Sequence, residues 1–344
     1  TLIKYLLDNS STNNWQVKVA DFSIELADQA VGNHNNGKAI FFNVTDKKQR
    51  ESEIENADIV ISMLPASLHI TVAKDCVRLG KNLVTASYVS PEIAELDEAA
   101  KQAGILLLNE IGLDPGIDHM SAMQVIDEIK ENGGELTSFK SFCGGLVHPD
   151  YDNNPWNYKF TWNPRNVVLA GQGTAQYIEN GDYKYIPYTS LFERTEQTEV
   201  LDAGEFEGYA NRDSLSYRKS YGLDDIPTLF RGTLRRKGYS EAWNIFVQLG
   251  MTDDTYKIEN SASITNREFI NMFLPFNDAL TVEEKLCKQF SLTTDSVIFQ
   301  KIAWLSAFSE NKVGMENASP AQILQAMCEK KWTLGSEDKD MIVM

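Results

Sequence analysis

The feature that most restricts what this chain can fold into is an alternation running through its first hundred residues. Short, unbroken apolar runs take turns there with amphipathic or charged segments. Residues 17–21, 39–44, 59–64, 82–86 and 105–109 read as strands. Residues 24–31, 47–55, 68–79 and 91–103 read as the helices between them, and apolar residues at 2, 3, 6 and 7 predict one more helix at the start. The strands are continuous apolar runs, so both of their faces must be covered. A strand spacing of about 20 residues allows one crossover helix per strand, which means a parallel sheet wrapped on both sides. From Glu135 the period changes. Residues 136–142, 183–188 and 205–209 alternate apolar and polar, as a largely antiparallel sheet does, and 270–276, 282–290, 297–308 and 321–332 read as helices.

An open parallel sheet binds its ligands at the carboxyl ends of its strands. A helix followed by a strand that ends in Asp21 is the pattern of a dinucleotide unit, in which an acid at the strand end bonds the ribose hydroxyls. On this reading the Gly-rich phosphate turn is expected just before residue 1, so the unit is expected to be truncated at its N-terminus. Asp21 would repel a 2′-phosphate, which favours NAD over NADP; its alternative role is to cap the helix that follows. The stretch Ile105–Met120 places Asn109 at another strand end. A loop with Gly112, Pro115 and Gly116 follows, and Asp114, Asp118 and His119 crowd the mouth of the connection to a helix from about Ile117 to Asn132. The alternative role of Asp114 and Asp118 is to favour that helix as N-terminal acids; both roles can hold together.

The fold class expected is α/β, a Rossmann-type parallel sheet domain followed by an α+β domain with a helical subdomain. The boundaries expected are 1–118 for the dinucleotide-binding domain, 119–240 together with 333–344 for the second sheet domain, and 241–332 for the helical piece. Composition narrows the ligands. The chain has 49 acidic and 32 basic side chains and a formal charge of -17, which argues against nucleic acid and anionic membranes as partners. No apolar run reaches the length of a membrane span. The four cysteines, Cys76, Cys143, Cys287 and Cys328, lie far apart without a CxxC pair, as in a reduced, cytoplasmic protein. His34, His69, His119 and His148 are equally scattered, so no metal site is expected.

Several segments together resemble saccharopine dehydrogenase of the glutamate-forming type. They are Ser62-Met-Leu-Pro65, Thr85-Ala-Ser-Tyr-Val-Ser-Pro91, Asn109-Glu-Ile-Gly-Leu-Asp-Pro-Gly-Ile-Asp-His119, Ser141-Phe-Cys-Gly-Gly-Leu146 and Asn154-Pro-Trp-Asn-Tyr-Lys-Phe-Thr-Trp162, with Asn211-Arg-Asp-Ser214 and Phe230-Arg-Gly-Thr-Leu-Arg235 further on. They keep the family's order over about residues 57 to 240, with weaker likeness up to Val343. The resemblance implies NAD(P)-dependent oxidation of saccharopine to glutamate and 2-aminoadipate 6-semialdehyde, or the reverse, in lysine metabolism. It implies a homodimer built on the second sheet domain, which would also bind saccharopine. It also implies two missing elements, the Gly-rich turn and a C-terminal segment that returns to the first domain.

Saccharopine carries three carboxylates, so guanidinium forks are needed, and its nitrogen must lose a proton before hydride departs. Cations do gather where the resemblance expects them. Arg231-Gly-Thr-Leu-Arg-Arg-Lys237 holds four in seven residues, and on a strand Arg231, Thr233 and Arg235 share one face with Gly232 leaving room between them. By resemblance, substrate binding falls to Ser87, Tyr88, Asp114, Arg212, Arg231, Gly232 and Thr233, and the catalytic environment to Tyr88, Asp114 and Cys143. Asp114 is the leading candidate for the base, while Cys143 has the alternative of a small buried hydrophobe. Leu113, Asp114, Ile117, Asp118, His119 and Trp162 resemble contacts on the nicotinamide side, and Met63, Leu64 and Pro65 contacts on the adenosine side. For Trp162 the alternative is packing in the core with Phe160. Two rivals share the architecture. One is a carboxynorspermidine-type dehydrogenase, whose substrate has fewer carboxylates. The other is a non-catalytic dinucleotide-binding protein.

Overall fold

The computed structural model describes residues 2–344. The chain divides into two compact units, residues 1–121 and 122–344. In the first, strands β1 (Val17–Asp21) and β2 (Gly37–Phe41) pair in parallel, and β3 (Ile59–Ile61), β4 (Asn82–Val84) and β5 (Leu107–Leu108) form a second parallel set in that order. The expected single sheet is thus two sheets. β1 spans its whole run, whereas the runs of β2, β3, β4 and β5 continue past the last pairing residue into the loop at the carboxyl edge. Val44, predicted inside a strand, packs instead against the apolar core of this unit.

Local chemistry fixes the helices. Ser23 caps Ile24–Val31 by accepting from the Leu26 amide, and Asp46 caps Lys47–Glu55 by accepting from Lys48 and Gln49. Ala66–Leu79 ends at Gly80 in the left-handed conformation. The helix expected over 91–103 is two helices, Pro91–Ala94 and Asp97–Ala103. Val72, Ala73 and Cys76 of the Ala66–Leu79 helix bury against Leu83, Ile54 and Ile93, an apolar stripe at helical spacing.

The second unit carries β6 (Phe139–Val147), β7 (Thr174–Glu179), β8 (Asp182–Pro187), β9 (Thr195–Val200), β10 (Gly204–Ala210), β11 (Leu229–Arg235) and β12 (Asp340–Val343). The order is β12-β6-β11-β10-β9, with β7 joined to β11 and paired with β8. All these pairings are antiparallel except β6 with β11, which is parallel and makes the sheet mixed. The helices of 239–332 do not form a unit of their own. Their core is continuous with the sheet: Trp156, Tyr158 and Phe206 share one cluster with Trp243, Phe246, Leu324 and Trp332. The first of the late helices is Asn266–Asn271 rather than 270–276, because Thr265 and Glu268 form a capping box that sets its start.

A buried ion pair ties the first unit together. Arg50 Nε donates to Asp75 Oδ2 at 2.6 Å, and Arg78 reaches the other oxygen at 3.0 Å. Burial alone would raise the Asp75 carboxyl, but the hydrogen bonds and charges of Arg50 and Arg78 outweigh it and hold the group below the usual carboxylate range. This contribution is complete above the unfolded carboxyl pKa and lost as pH falls through the lowered folded value. Asp75→Ala, which strands Arg50 in the interior, is expected to cost about 3–5 kcal/mol in urea unfolding. Asp75→Asn should flatten the acid limb of the stability profile, and an unchanged limb would remove Asp75 as its cause.

Candidate active site

In the first unit the residues of interest lie just beyond β3, β4 and β5. Past β3, Met63 leaves 68% of its surface in solvent while Leu64 packs on the core. Past β4 come Thr85, buried, then Ser87 and Tyr88. Past β5 the chain passes through Glu110, at φ 57, into the loop of Leu113, Asp114 and Gly116. The loop folds back tightly: Gly112 N donates to Pro115 O, and a Cβ on Gly116 would lie 2.2 Å from the Gly112 carbonyl. Only glycine fits there.

The loop sets its acids in distinct roles. Tyr88 Oη donates to Asp114 Oδ1 at 3.0 Å, which joins the connection after β4 to that after β5. Asp118, buried, accepts from the Gly116 amide at 2.7 Å and so serves as a brace for the turn at the start of the Ile117–Glu131 helix. His119 lies 3.3 Å from Glu110 and 3.5 Å from Asp118, and Glu110 also accepts from the Val89 amide. Two groups here were not singled out from sequence. Glu110 stands one residue past a strand end, a signal that was available. Both polar atoms of Asn109 are shielded from solvent without a hydrogen-bond partner in the protein.

Asp21 closes β1 as expected, but its carboxylate accepts from Ser23 N at 2.8 Å, the turn that sets up the Ser23 cap. Asp21 therefore has a local structural role that needs no ribose. Exposed Phe22, Met63, Leu113 and Ile117 supply apolar surface at this edge, suited to the flat rings of a nicotinamide dinucleotide.

In the second unit, β11 carries the cations. Arg231 is 2% exposed, its guanidinium carbon 4.1 Å from the centre of the Tyr217 ring, and its amide donates to Ser214 Oγ. Thr233 Oγ1 donates to Asn211 Oδ1 at 2.7 Å. Arg212, beside Asn211, is exposed. Arg235 is buried in a cage of Tyr158, Tyr209 and Tyr239 rings, a structural use of the cation. Burial pushes the Tyr158 hydroxyl up to about 12, so it stays protonated beside that charge. The room expected in front of Gly232 is filled, since a Cβ there would lie 2.8 Å from the Phe142 and Phe230 rings. Cys143 stands opposite Thr233 in the parallel register and is buried. Trp162 is 48% exposed, whereas Phe160 packs edge-on against Trp332, so the core alternative applies to Phe160 alone.

Parallel βα units with polar groups gathered at one edge, and a second unit with a cationic strand, define a nicotinamide-dependent dehydrogenase. Comparison with known proteins agrees: a family model described as the saccharopine dehydrogenase NADP binding domain matches residues 1–108, and one described as the saccharopine dehydrogenase C-terminal domain matches 112–344. The chain belongs to the saccharopine dehydrogenase family. Saccharopine dehydrogenase [NADP(+), L-glutamate-forming] of Schizosaccharomyces pombe is 33% identical over 99% of this chain and 77% of its own length. The mitochondrial alpha-aminoadipic semialdehyde synthase of Rattus norvegicus is 37% identical over 88% of this chain, which matches about a third of that protein's length. The apo saccharopine dehydrogenase (L-Glu forming) of Saccharomyces cerevisiae superposes with a TM-score of 0.84 at 31% identity, over 99% of this chain and 78% of that one. A nicotinamide dinucleotide is thus the cofactor class, and the descriptions lean towards NADP, against the NAD preference read from Asp21. No helix among the described residues is long and apolar enough to cross a membrane, and no cluster of His, Cys, Asp or Glu among them could hold a metal.

Burial also sets thiol reactivity. It pushes Cys76 up to about 12 and Cys328 well above its usual value, and Cys143 is shielded; Cys287, half-buried and raised by burial as well, is the least shielded of the four. A thiol reagent is expected to label at most Cys287 quickly in the folded protein and all four cysteines after denaturation. Rapid labelling of Cys143 would show that its strand opens to solvent.

Proposed function

We propose that this protein oxidises saccharopine reversibly to glutamate and 2-aminoadipate 6-semialdehyde. The observation that carries the reading is the Tyr88–Asp114 hydrogen bond at the ligand edge, in a chain of this family. The bound dinucleotide supplies the hydride acceptor. Met63, Leu64, Leu113, Ile117, Asp118, His119 and Trp162 would hold it. Asp114 takes the proton from the secondary ammonium before hydride leaves the neighbouring carbon, releases it to solvent, and as a carboxylate again takes a proton from the water that adds to the iminium carbon; Tyr88 fixes the orientation of its carboxylate. Arg231, Arg212 and Thr233 are assigned the substrate carboxylates, with Ser87 as a further hydroxyl, Gly232 as backbone between the two β11 side chains, and Cys143 in the catalytic environment. A homodimer, on the family resemblance, and a reduced compartment, with which four unpaired cysteines agree, belong to the same proposal.

The arginines separate this substrate from one with fewer carboxylates. Arg212→Ala and Arg231→Lys are expected to raise the saccharopine KM by roughly ten- to a hundredfold, the worth of a charge-assisted hydrogen bond. The dinucleotide Kd, from NADPH fluorescence, should stay within about twofold, because these side chains are assigned to substrate alone. Unchanged saccharopine turnover in both variants would refute the assignment.

NADP is the acceptor we infer, on the weight of the family and the named relatives. Asp21 and Glu25 place two acids beside the strand end, which works against a 2′-phosphate. Steady-state reduction of both dinucleotides should favour NADP, and Asp21→Ser should widen the ratio by about threefold to tenfold. A strong preference for NAD would restore the ribose-binding reading of Asp21.

A further inference from the structure

His69 lies on the Ala66–Leu79 helix and is 2% exposed. Its spacing fits the apolar stripe of that helix, yet both ring nitrogens are engaged. Nδ1 lies 2.8 Å from Ser62 Oγ and Nε2 lies 2.7 Å from Ser87 Oγ, with Thr85 Oγ1 at 3.5 Å. Ser62 follows β3 and precedes Met63; Ser87 follows β4 and precedes Tyr88. The backbone extends the chain of contacts, since Ser62 N donates to Val84 O, Thr85 N to Leu108 O and Glu110 N to Ser87 O. A lateral line of polar contacts therefore runs across the carboxyl ends of all three strands, with His69 as a side-chain link between the first and the second.

Burying an imidazole costs free energy that an apolar side chain at the same place would not incur. Burial also lowers the pKa of His69, which keeps the ring neutral at physiological pH. A neutral ring has one N–H and one lone pair. Whichever nitrogen carries the proton, one serine donates and the other accepts, so the two hydroxyls are fixed as a pair.

We propose that His69 is a positioning residue that couples the dinucleotide-side turn, Ser62–Leu64, to the substrate-side turn, Ser87–Tyr88, so that occupancy of one orders the other. The proposal rests on the assignment above of Met63 and Leu64 to dinucleotide and of Ser87 and Tyr88 to saccharopine. It differs from a packing role in predicting separable losses. An Asn amide takes the place of Nδ1 and can keep the Ser62 contact; a Gln amide takes the place of Nε2 and can keep the Ser87 contact.

The test uses the full chain and its His69→Asn, His69→Gln and His69→Ala variants. NADPH fluorescence gives dinucleotide Kd with and without saccharopine, and steady-state rates give the saccharopine KM and kcat. His69→Ala should raise both Kd and KM about tenfold and abolish the effect of one ligand on the other. His69→Asn should hold the Kd near wild type while KM rises, and His69→Gln should do the reverse. Should His69→Ala fold poorly, Ser62→Ala must move the Kd and Ser87→Ala the KM. Equal changes in both constants in His69→Asn and in His69→Gln, or no change in any of the three variants, would overturn the proposal. If the wild-type protein binds NADPH but never turns over saccharopine, the functional reading fails separately. The Kd arm then still decides whether Ser62 depends on His69.

Discussion

The site depends on one constraint: parallel strands joined by crossover helices must all send their outgoing connections to the same edge of the sheet. Ser62, Ser87 and Asp114 are far apart in sequence, yet they follow strands that run in one direction and are covered by helices. The hydroxyl-to-carboxylate contact of Tyr88 with Asp114 and the Ser62–His69–Ser87 line are both consequences of that geometry. The Gly116 turn adds the last requirement, because it brings the loop back onto itself tightly enough for Asp118 to brace it.

What could be read from the residues follows the same logic. The parallel sheet was legible because unbroken apolar runs have few other solutions, and Tyr88, Asp114, Asp118 and His119 were legible because they stand just after such runs. The lateral polar line was not. His69 looks like a stripe residue on its helix, and its partners lie in two separate loops, so only the assembled sheet brings them together. The mixed character of the second sheet was hidden for a similar reason: alternation gives a strand and its faces, but the direction of a neighbour is decided by tertiary connection, as β6 beside β11 shows. Arg235 was grouped with Arg231 by period, correctly as to spacing, yet ring faces rather than a ligand surround it.

The charge balance also takes on a physical meaning. A chain with a formal charge of -17 has to keep cations where an anionic substrate can use them, and nearby acids would cancel them. Aromatic faces are part of their support: the Tyr217 ring lies against the Arg231 guanidinium and the Phe206 ring against that of Arg236.

The pairing of β12 with β6 has a kinetic consequence. Until Asp340–Val343 has been synthesised, β6, with its run Phe139–Val147, has an open edge on the side away from β11. The same late closure applies to Lys159 and Asp338, an ion pair whose members are 179 residues apart. A growing chain therefore carries an unpaired apolar strand edge for most of the synthesis of its second unit. Such an edge recruits other strands, which exposes this unit to mispairing before β12 arrives.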